Sequence, residues 1–259
     1  MDITLLCEDT FDGMMSAVYD GWVKMSKGHT IHIRPGEVYE YSFLTEYVRV
    51  ETNLEKAKKV ADSIRKKISL DAYMMVYRTC MHYEEDRVDI VVDFLKLGYK
   101  VGAKVTKDFG NPVVMKLVEY SRKVGNETHL FKGFVRFKEV QGNILLSRIS
   151  PKCDVLPMIS HHFSNRYPLE NWIIYDDTRK KALVHGKGMQ CILLSGNDVE
   201  EKVKKLNASD TYEDLWKVFF DTIGIKEREN SRCQKTNLPK WYREHMTEFT
   251  ENVHNDEKN

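Results

Sequence analysis

The sequence predicts an α+β protein. Its N-terminal half is expected to be helical with a few short strands, and its C-terminal half to be an antiparallel sheet of hairpins packed by helices. Before residue 131, apolar residues recur at the three- and four-residue spacing of helices. After residue 133, alternating apolar and polar runs are separated by turn-forming residues. Hydrophobic residues make up 42% and charged residues 31% of the 259 residues, which is typical of a globular protein.

Short strands and one helix are predicted first. The apolar stretch ITLLC at residues 3–7 predicts a buried strand, and HTIHIR and YVRVE predict two more. TFDGMMSAVYDGWVKM predicts a helix, because its apolar residues fall on one helical face. Thr10 or Asp9 is placed to cap the N-terminus of this helix.

Four further helices are predicted in the N-terminal half. They are TNLEKAKKVADSIRKKI, LDAYMMVYRTCMH, EDRVDIVVDFLKLGYKVG and NPVVMKLVEYSRKVGNE. Thr52 and Glu55 form the pattern of a capping box at the start of the first. Asn111 can cap the last, which places Pro112 at the favoured first position. We therefore expect residues 1–131 to form a mostly helical region.

Hairpins dominate the next region, residues 132–249, which we expect to form the antiparallel-sheet α+β part. Residues 134–149 predict one hairpin with the turn QGN, and residues 171–186 predict a second with TRKK at its turn. Between them DVLPMISHHFSNR predicts a helix that packs on the same sheet. MQCILLS, which follows the second hairpin, predicts one more strand.

An amphipathic helix and a polar tail are predicted near the end of the sequence. SDTYEDLWKVFFDTIGI has helical spacing, which predicts a core position for Trp216, Phe219, Phe220 and Ile223. LPKWYREHM predicts a last short helix. The polar composition of residues 250–259 predicts a disordered tail.

Positive charge is concentrated in two blocks, although the formal net charge is only +1. Residues 132–192 contain 10 Lys and Arg against 5 Asp and Glu, and residues 226–243 contain 6 against 2. Such blocks suit contact with phosphate groups. A solvated surface is an equally good explanation of the charge alone.

Several classes of protein and cofactor have no support in the sequence. No apolar run reaches the roughly 18 residues of a membrane helix, and the stretch MDITLLCEDTFDG lacks the features of a signal peptide. We therefore expect a cytoplasmic protein without membrane contact. The five cysteines lack the spacing of zinc, redox or iron–sulfur motifs, and no phosphate-binding glycine loop, dinucleotide fingerprint or nucleophile elbow is present. We expect no cofactor, and a metal ion assembled from distant residues stays open.

The stretch PMISHHFSNR supplies the first group of candidate site residues. On a helix, His162 and Arg166 lie one turn apart and can present two donors together, whereas His161 lies about 100° round the axis. His162 could exchange a proton near neutral pH, and Arg166 could hold a phosphate with two hydrogen bonds. The alternative is that His162 is a core histidine bonded to a backbone carbonyl.

NETHLFKGFVRFKEV supplies the second group. Glu127 and His129 could act as a catalytic acid–base pair. We expect Phe134, Arg136 and Lys138 to share one face of a strand, where aromatic and basic side chains suit nucleic-acid bases and phosphates. The alternative is that the aromatic residues are ordinary core and that the charges are solvated.

ERENSRCQKTNLPKWYREHM supplies the third group. Its donor-rich loop precedes two aromatic residues, a combination that suits a nucleic-acid backbone. The candidate nucleic-acid contacts are Arg232, Gln234, Lys235 and Trp241. A scaffold loop that closes the domain is the alternative.

Four stretches together resemble an uncharacterised bacterial family described as probable DNA metabolism proteins. They are FDGMMSAVYDGW, RKVGNETHLFKGFVRF, DVLPMISHHFSNRYPLENWIIYDDTRKKAL and RENSRCQKTNLPKWYREHMTEF. Members of that family accompany a radical-SAM protein thought to act in DNA modification or repair, and some are fused to a uracil-DNA-glycosylase-type domain. The resemblance implies a role in DNA metabolism and a radical-SAM companion, but no particular reaction. The positions that match the family's typical residues are Glu127, His129, Gly133, Arg136, Phe137, His162, Phe163, Arg166, Trp172, Asp176, Arg179, Gln234, Pro239 and Trp241.

The leading expectation is a DNA-binding accessory protein that acts with the radical-SAM companion in DNA modification or repair. Arg136, Arg166, Arg179 and Lys235 are expected to line one DNA-facing surface. A DNA-processing enzyme of glycosylase or nuclease type, using His162, Glu127 or His129, is the first alternative. A structural partner without DNA contact is the second.

Overall fold

A computed structural model describes residues 2–36, 45–140, 144–195, 242 and 246. The chain divides into two compact units, Met1–Asn126 and Glu127–Asn259. The described part has an α+β fold with a helical N-terminal half and a sheet in the C-terminal half, as expected. None of the helices in this part combines the length and apolar character that crossing a bilayer requires.

Three parallel strands and five helices are described in the N-terminal half. The strands are β1 (Asp2–Cys7), β2 (Thr30–Pro35) and β3 (Thr45–Arg49), in the order β2-β1-β3. The helices are α1 (Phe11–Met25), α2 (Leu54–Lys67), α3 (Leu70–Cys80), α4 (Arg87–Val101) and α5 (Pro112–Phe134), with a 3₁₀ helix at Gly102–Lys107. β1 and β2 run parallel because α1 carries the chain back between them.

Side-chain caps fix where these helices begin. The Thr10 hydroxyl accepts a hydrogen bond from Gly13 N at 3.0 Å, which confirms a cap at this position. The capping box expected at Thr52 is wrong. Asn53 caps α2 instead, accepting from Glu55 N and Lys56 N at 3.0 Å each.

The end of α5 differs from the expectation. The helix does not stop near residue 127 but continues to Phe134, because Val124, Thr128 and Phe131 extend its buried face by whole turns. Phe134 therefore closes a helix, Arg136 lies in the connection, and only Lys138 begins a strand. The expectation that these three residues share a strand face is wrong.

A five-stranded sheet organises the C-terminal unit. Its strands are β4 (Lys138–Val140), β5 (Ile144–Ile149), β6 (Asn171–Asp176), β7 (Lys181–His185) and β8 (Ile192–Ser195), in the order β4-β5-β6-β7-β8. Helix α6 (Leu156–Arg166) joins β5 to β6 and packs against β7. Both expected hairpins are confirmed as antiparallel pairs within this one sheet, and β8 confirms the added strand.

One detail of the expected sheet is wrong: it is mixed rather than wholly antiparallel. β5 and β6 pair in parallel, with Ile144 opposite Asn171 and Ile149 opposite Asp176. The physical reason is the crossover through α6, which returns the chain to the end of the sheet where β5 began. The hairpin β4–β5 and the hairpin β6–β7 are thereby joined into one sheet through the parallel pair β5–β6.

Several predicted features lie outside the described residues. This holds for the helix with Trp216, Phe219, Phe220 and Ile223, for Arg232, Gln234, Lys235 and Trp241, and for the tail at 250–259. These expectations stay predictions.

Candidate functional site

The turn after β6 is built around a buried carboxylate. Asp176 is 0% exposed, and its Oδ1 accepts hydrogen bonds from Thr178 N at 2.8 Å and Arg179 N at 3.1 Å. Aspartate favours such turns because its side chain can bond backbone amides two and three residues ahead. The turn thereby fixes the start of β7 and the direction of the Arg179 side chain.

Arg179 points back into the protein. Its guanidinium donates to Asp176 Oδ2 at 3.3 Å, to the carbonyl of Pro151 at 3.1 Å and to the carbonyl of Lys152. The side chain is only 15% exposed. The sequence predicts Arg179 on a DNA-facing surface, whereas in this structure its donors bind the backbone before α6.

Glu127 holds the same stretch of backbone, Pro151–Asp154, which we call the 151–154 loop. Its carboxylate accepts hydrogen bonds from Lys152 N and Cys153 N, both at 2.8 Å. Glu127 is 7% exposed, so these are charge-assisted bonds in a largely dry setting. Burial, together with the negative charge of Glu127, raises the pKa of Tyr242 above its usual value.

A second ion pair closes the cluster around the loop. Lys181 Nζ lies 2.8 Å from Asp154 Oδ2, and both side chains are nearly buried. Asp154 Oδ1 is buried and has no hydrogen-bond partner in the described part of the chain. Burial raises the pKa of Asp176 to about 6, and although Arg179 opposes this shift, the nearby charge of Asp154 adds to it.

His162 lies on α6 and is influenced by two positive charges. Burial lowers the pKa of His162 below its usual value, and the charges of Lys132 and Arg166 lower it further, while a backbone contact with Lys132 acts in the opposite direction. The ring meets Phe163 edge-on, with centroids 4.9 Å apart at 87°. Its Nε2 is buried and has no hydrogen-bond partner among the described residues. A neutral imidazole with an unsatisfied nitrogen therefore lies within reach of two cations.

Exposed polar side chains continue along the same helix. His161 and Asn165 lie in solvent contact, with His161 Nε2 3.1 Å from Asn165 Nδ2. Arg166 is exposed as well, and its guanidinium carbon lies 5.8 Å from the Tyr167 ring centroid. Asp154 pairs with Lys181 and Asp176 pairs with Arg179, so neither carboxylate holds Arg166.

A match to a protein-family model covers residues 85–248, well over half of the chain. The model describes a domain of unknown function, DUF4130. The chain belongs to the DUF4130 family. No curated protein matches it.

The DUF4130 region includes all of the candidate site residues, but the structure does not bring those that it describes together in one place. Glu127 is buried on the loop side of α5, whereas His129 is exposed. Two positions apart on a helix means about 200° around its axis, so the two side chains point away from each other. Arg136 donates to the carbonyls of Gly133 at 2.7 Å and Val135 at 3.3 Å, which caps the end of α5. Lys138 lies half-buried in β4.

Two pairings in these clusters are not indicated by the sequence. In the sequence Lys132 is only one member of a basic block, and its proximity to His162 depends on how far α5 extends. Asp154 has its partner Lys181 27 residues away, which local spacing cannot indicate. Among the described residues no three His, Cys, Asp or Glu side chains converge as a metal site.

Proposed function

We propose that this DUF4130 protein binds DNA as an accessory factor in DNA modification or repair, together with a radical-SAM companion. The observation that carries the proposal is the pair of cations Lys132 and Arg166, whose charges both act on the neutral His162. The companion and the DNA link rest on the sequence resemblance. Membership of the family leaves the reaction open.

Charge pairing distinguishes Lys132 and Arg166 from Arg179 and Lys181 of the same unit. Arg179 lies 3.3 Å from Asp176 and Lys181 lies 2.8 Å from Asp154, so these charges are largely compensated. Lys132 and Arg166 have no carboxylate within salt-bridge distance in the part of the chain that the structure describes. Uncompensated cations produce the positive potential that attracts a phosphate backbone.

The chemistry of the group suits a phosphodiester oxygen. Arg166 can offer two parallel donors and Lys132 a point charge. His162 can support the contact without touching the phosphate, since a nearby anion raises the pKa of an imidazole and favours its protonated form. His161 and Asn165 on the exposed side of α6 can extend the contact along a strand.

A DNA-processing enzyme remains the second candidate, and one observation favours it. The lowered pKa of His162 leaves its ring neutral at pH 7, which a general base requires. Glu127 fits this role less well, because both of its carboxylate oxygens accept backbone hydrogen bonds. The enzyme alternative therefore depends on His162 rather than on an acid–base pair.

The test measures binding of labelled single- and double-stranded oligonucleotides at several salt concentrations, with the chain alone and after co-purification with its companion. Each phosphate contact that is removed should reduce the slope of log K against log salt by about 1. Arg166→Ala and Lys132→Ala should each do so. Arg122→Ala is the matched control, since Arg122 is exposed on the helix that carries Lys132, about 15 Å earlier along its axis.

The outcomes separate the three possibilities. Equal weakening on unrelated DNA sequences supports phosphate contacts, because phosphates carry no sequence information. Cleavage or base release that is lost in His162→Asn supports the enzyme. If neither the chain nor the complex has salt-dependent affinity for DNA, the proposal is wrong and the structural partner is favoured.

A further inference from the structure

A cavity of about 570 Å³ lies in the N-terminal unit between α1, α2 and α4. This volume is within the range of about 300–1,000 Å³ in which proteins bind small organic molecules. Its floor is apolar, formed by Val18, Val60 and Leu95, which are between 0% and 7% exposed. The cavity belongs to a different unit from the Lys132–His162–Arg166 group and does not depend on DNA binding.

Aromatic side chains form the walls of the cavity. Trp22 of α1 and Tyr99 of α4 meet edge-to-face, with ring centroids 5.3 Å apart and planes at 86°. Two rings at right angles offer one face and one edge to a planar guest, the two arrangements that aromatic pairs prefer. Burial raises the pKa of Tyr99, and the adjacent Ser63 hydroxyl only partly offsets this, so the phenol stays protonated and can donate.

Lysines stand at the rim. Lys59 and Lys67 of α2 line the cavity and are exposed, with Lys67 Nζ 6.0 Å from the Tyr99 ring centroid. No carboxylate lines the cavity in the described part of the chain, and neither lysine has a salt bridge there. The carboxylate of Asp20, next to a wall residue, is held by Lys56 at 2.7 and 2.9 Å. The mouth of the cavity is therefore positive.

We propose that this cavity binds a small flat aromatic anion, with the ring packed against Trp22 and Tyr99 and the anionic group at Lys67 and Lys59. An apolar floor favours a ring over an extended polar ligand. A positive rim without carboxylates favours a phosphate or carboxylate over a neutral or cationic group. A heteroaromatic phosphate and an aromatic carboxylate share this chemistry, and the probes below distinguish them.

Isothermal titration calorimetry of the full chain with two pairs of probes tests the site. AMP and 2-naphthoate are the anions, and adenosine and 2-naphthol are their neutral counterparts. Saturable binding is expected for at least one anion, with its neutral counterpart at least about tenfold weaker. The better anion of the two identifies the ligand class as phosphate or carboxylate.

Two variants locate the binding. Lys67→Gln should weaken the anion at least about tenfold, whereas Lys66→Gln, the exposed neighbour outside the cavity, should leave it unchanged. Val23→Trp should block the mouth, and because Val23 is 49% exposed the fold has room for the larger side chain. Circular dichroism confirms that each variant is folded.

Three results would overturn the proposal. None of the four probes binds at millimolar concentration, or the neutral compounds bind as well as the anions, or Lys66→Gln and Lys67→Gln weaken binding equally. The last result would mean general attraction to a basic helix. DNA binding by the Lys132–His162–Arg166 group can succeed or fail separately, since Lys67→Gln does not touch it.

Discussion

Glu127 binds backbone N–H groups and Arg179 binds backbone carbonyls of the same short segment, the 151–154 loop. Glu127 accepts from the N–H groups of Lys152 and Cys153, and Arg179 donates to the carbonyls of Pro151 and Lys152. The N–H and the carbonyl of Lys152 are thus both hydrogen-bonded to these side chains. The 151–154 loop leads directly into α6, so these two side chains help to position His162 and Arg166.

Glu127→Gln should destabilise the protein by about 2–3 kcal/mol. The amide retains one acceptor but presents N–H groups to a backbone N–H, and hydrogen bonds to charged groups contribute about 1.5–3 kcal/mol. Urea unfolding followed by fluorescence measures the change. Glu119→Gln removes an exposed ion pair with Lys123 on the same helix and is the control, which should lose much less stability because exposed pairs contribute little. Equal stability of both variants would contradict a structural role for Glu127.

The sequence predicts an interaction in this fold when the interacting residues are close together in the chain. Helix caps such as Thr10 and hairpins such as that of β6 and β7 involve neighbours in the chain, and spacing predicts them. The parallel pairing of β5 with β6 depends on the path of α6, which no local pattern encodes. Likewise, sequence shows that Arg179 is charged, but not that carbonyls 27 and 28 residues away receive its donors.

The end of α5 shows how tertiary burial overrides local alternation. The stretch FVRFK alternates as a strand does, yet Phe131 and Val135 lie four residues apart and are both buried. That spacing extends the helical face, and the helix continues to Phe134. Lys132 thereby lies on α5, where its charge acts on His162.

Asp176 should make stability fall as the pH rises from about 4 to about 6. Burial raises its pKa from 3.8 to about 6, so between these values the folded protein holds a proton that the unfolded chain releases. The stabilising effect is complete below about pH 4 and lost as pH rises through about 6, with a total of about 3 kcal/mol. The free energy of unfolding of the parent protein and Asp176→Asn should be compared across this range. A pH dependence that is identical in both would contradict the raised pKa.

His82 should have the opposite effect, so that stability falls as the pH decreases. Its ring is stacked between Tyr83 and Tyr120 at centroid distances of 4.3 and 4.0 Å, and burial lowers its pKa to about 4, assisted by Lys123 and Arg87. The unfolded chain takes up a proton below about pH 6.5 while the folded protein does not, so stability present above 6.5 is lost as pH falls to about 4. His82→Asn should flatten this acid limb in unfolding experiments. NMR titration of the His82 ring checks the pKa directly.

A side chain at Gly13 should destabilise the protein, whereas one at Gly125 should not. A Cβ on Gly13 would lie 2.6 Å from the backbone oxygen of Glu8, which cannot move aside as a flexible side chain can. We expect Gly13→Ala to cost about 1–3 kcal/mol, the range for overpacking. A Cβ on Gly125 meets only Arg78 Nη1 at 3.8 Å, so Gly125→Ala should stabilise α5 by up to about 1 kcal/mol. Melting temperatures that shift in the same direction would contradict this contrast.

Substitution of Arg179 should lower stability, whereas substitution of Arg166 should weaken DNA binding. Arg179→Ala leaves the buried Asp176 without its cation and two carbonyls without a donor, so a loss of about 3 kcal/mol is expected. Arg166→Ala removes an exposed side chain, so unfolding should change by no more than about 0.5 kcal/mol, while the salt slope of DNA binding falls by about 1.

Arg179→Lys sharpens this comparison, because lysine keeps the positive charge but cannot reproduce the planar fork that reaches two carbonyls and a carboxylate together. If Arg179 acts within the fold, Arg179→Lys should still lose stability while the salt slope of the folded fraction stays unchanged. Urea unfolding and oligonucleotide anisotropy on the same preparations measure both quantities. If instead Arg179→Ala unfolds like the parent protein and loses a unit of salt slope, its side chain leaves the loop to contact phosphate, as the sequence analysis expects, and the internal role assigned to it is wrong.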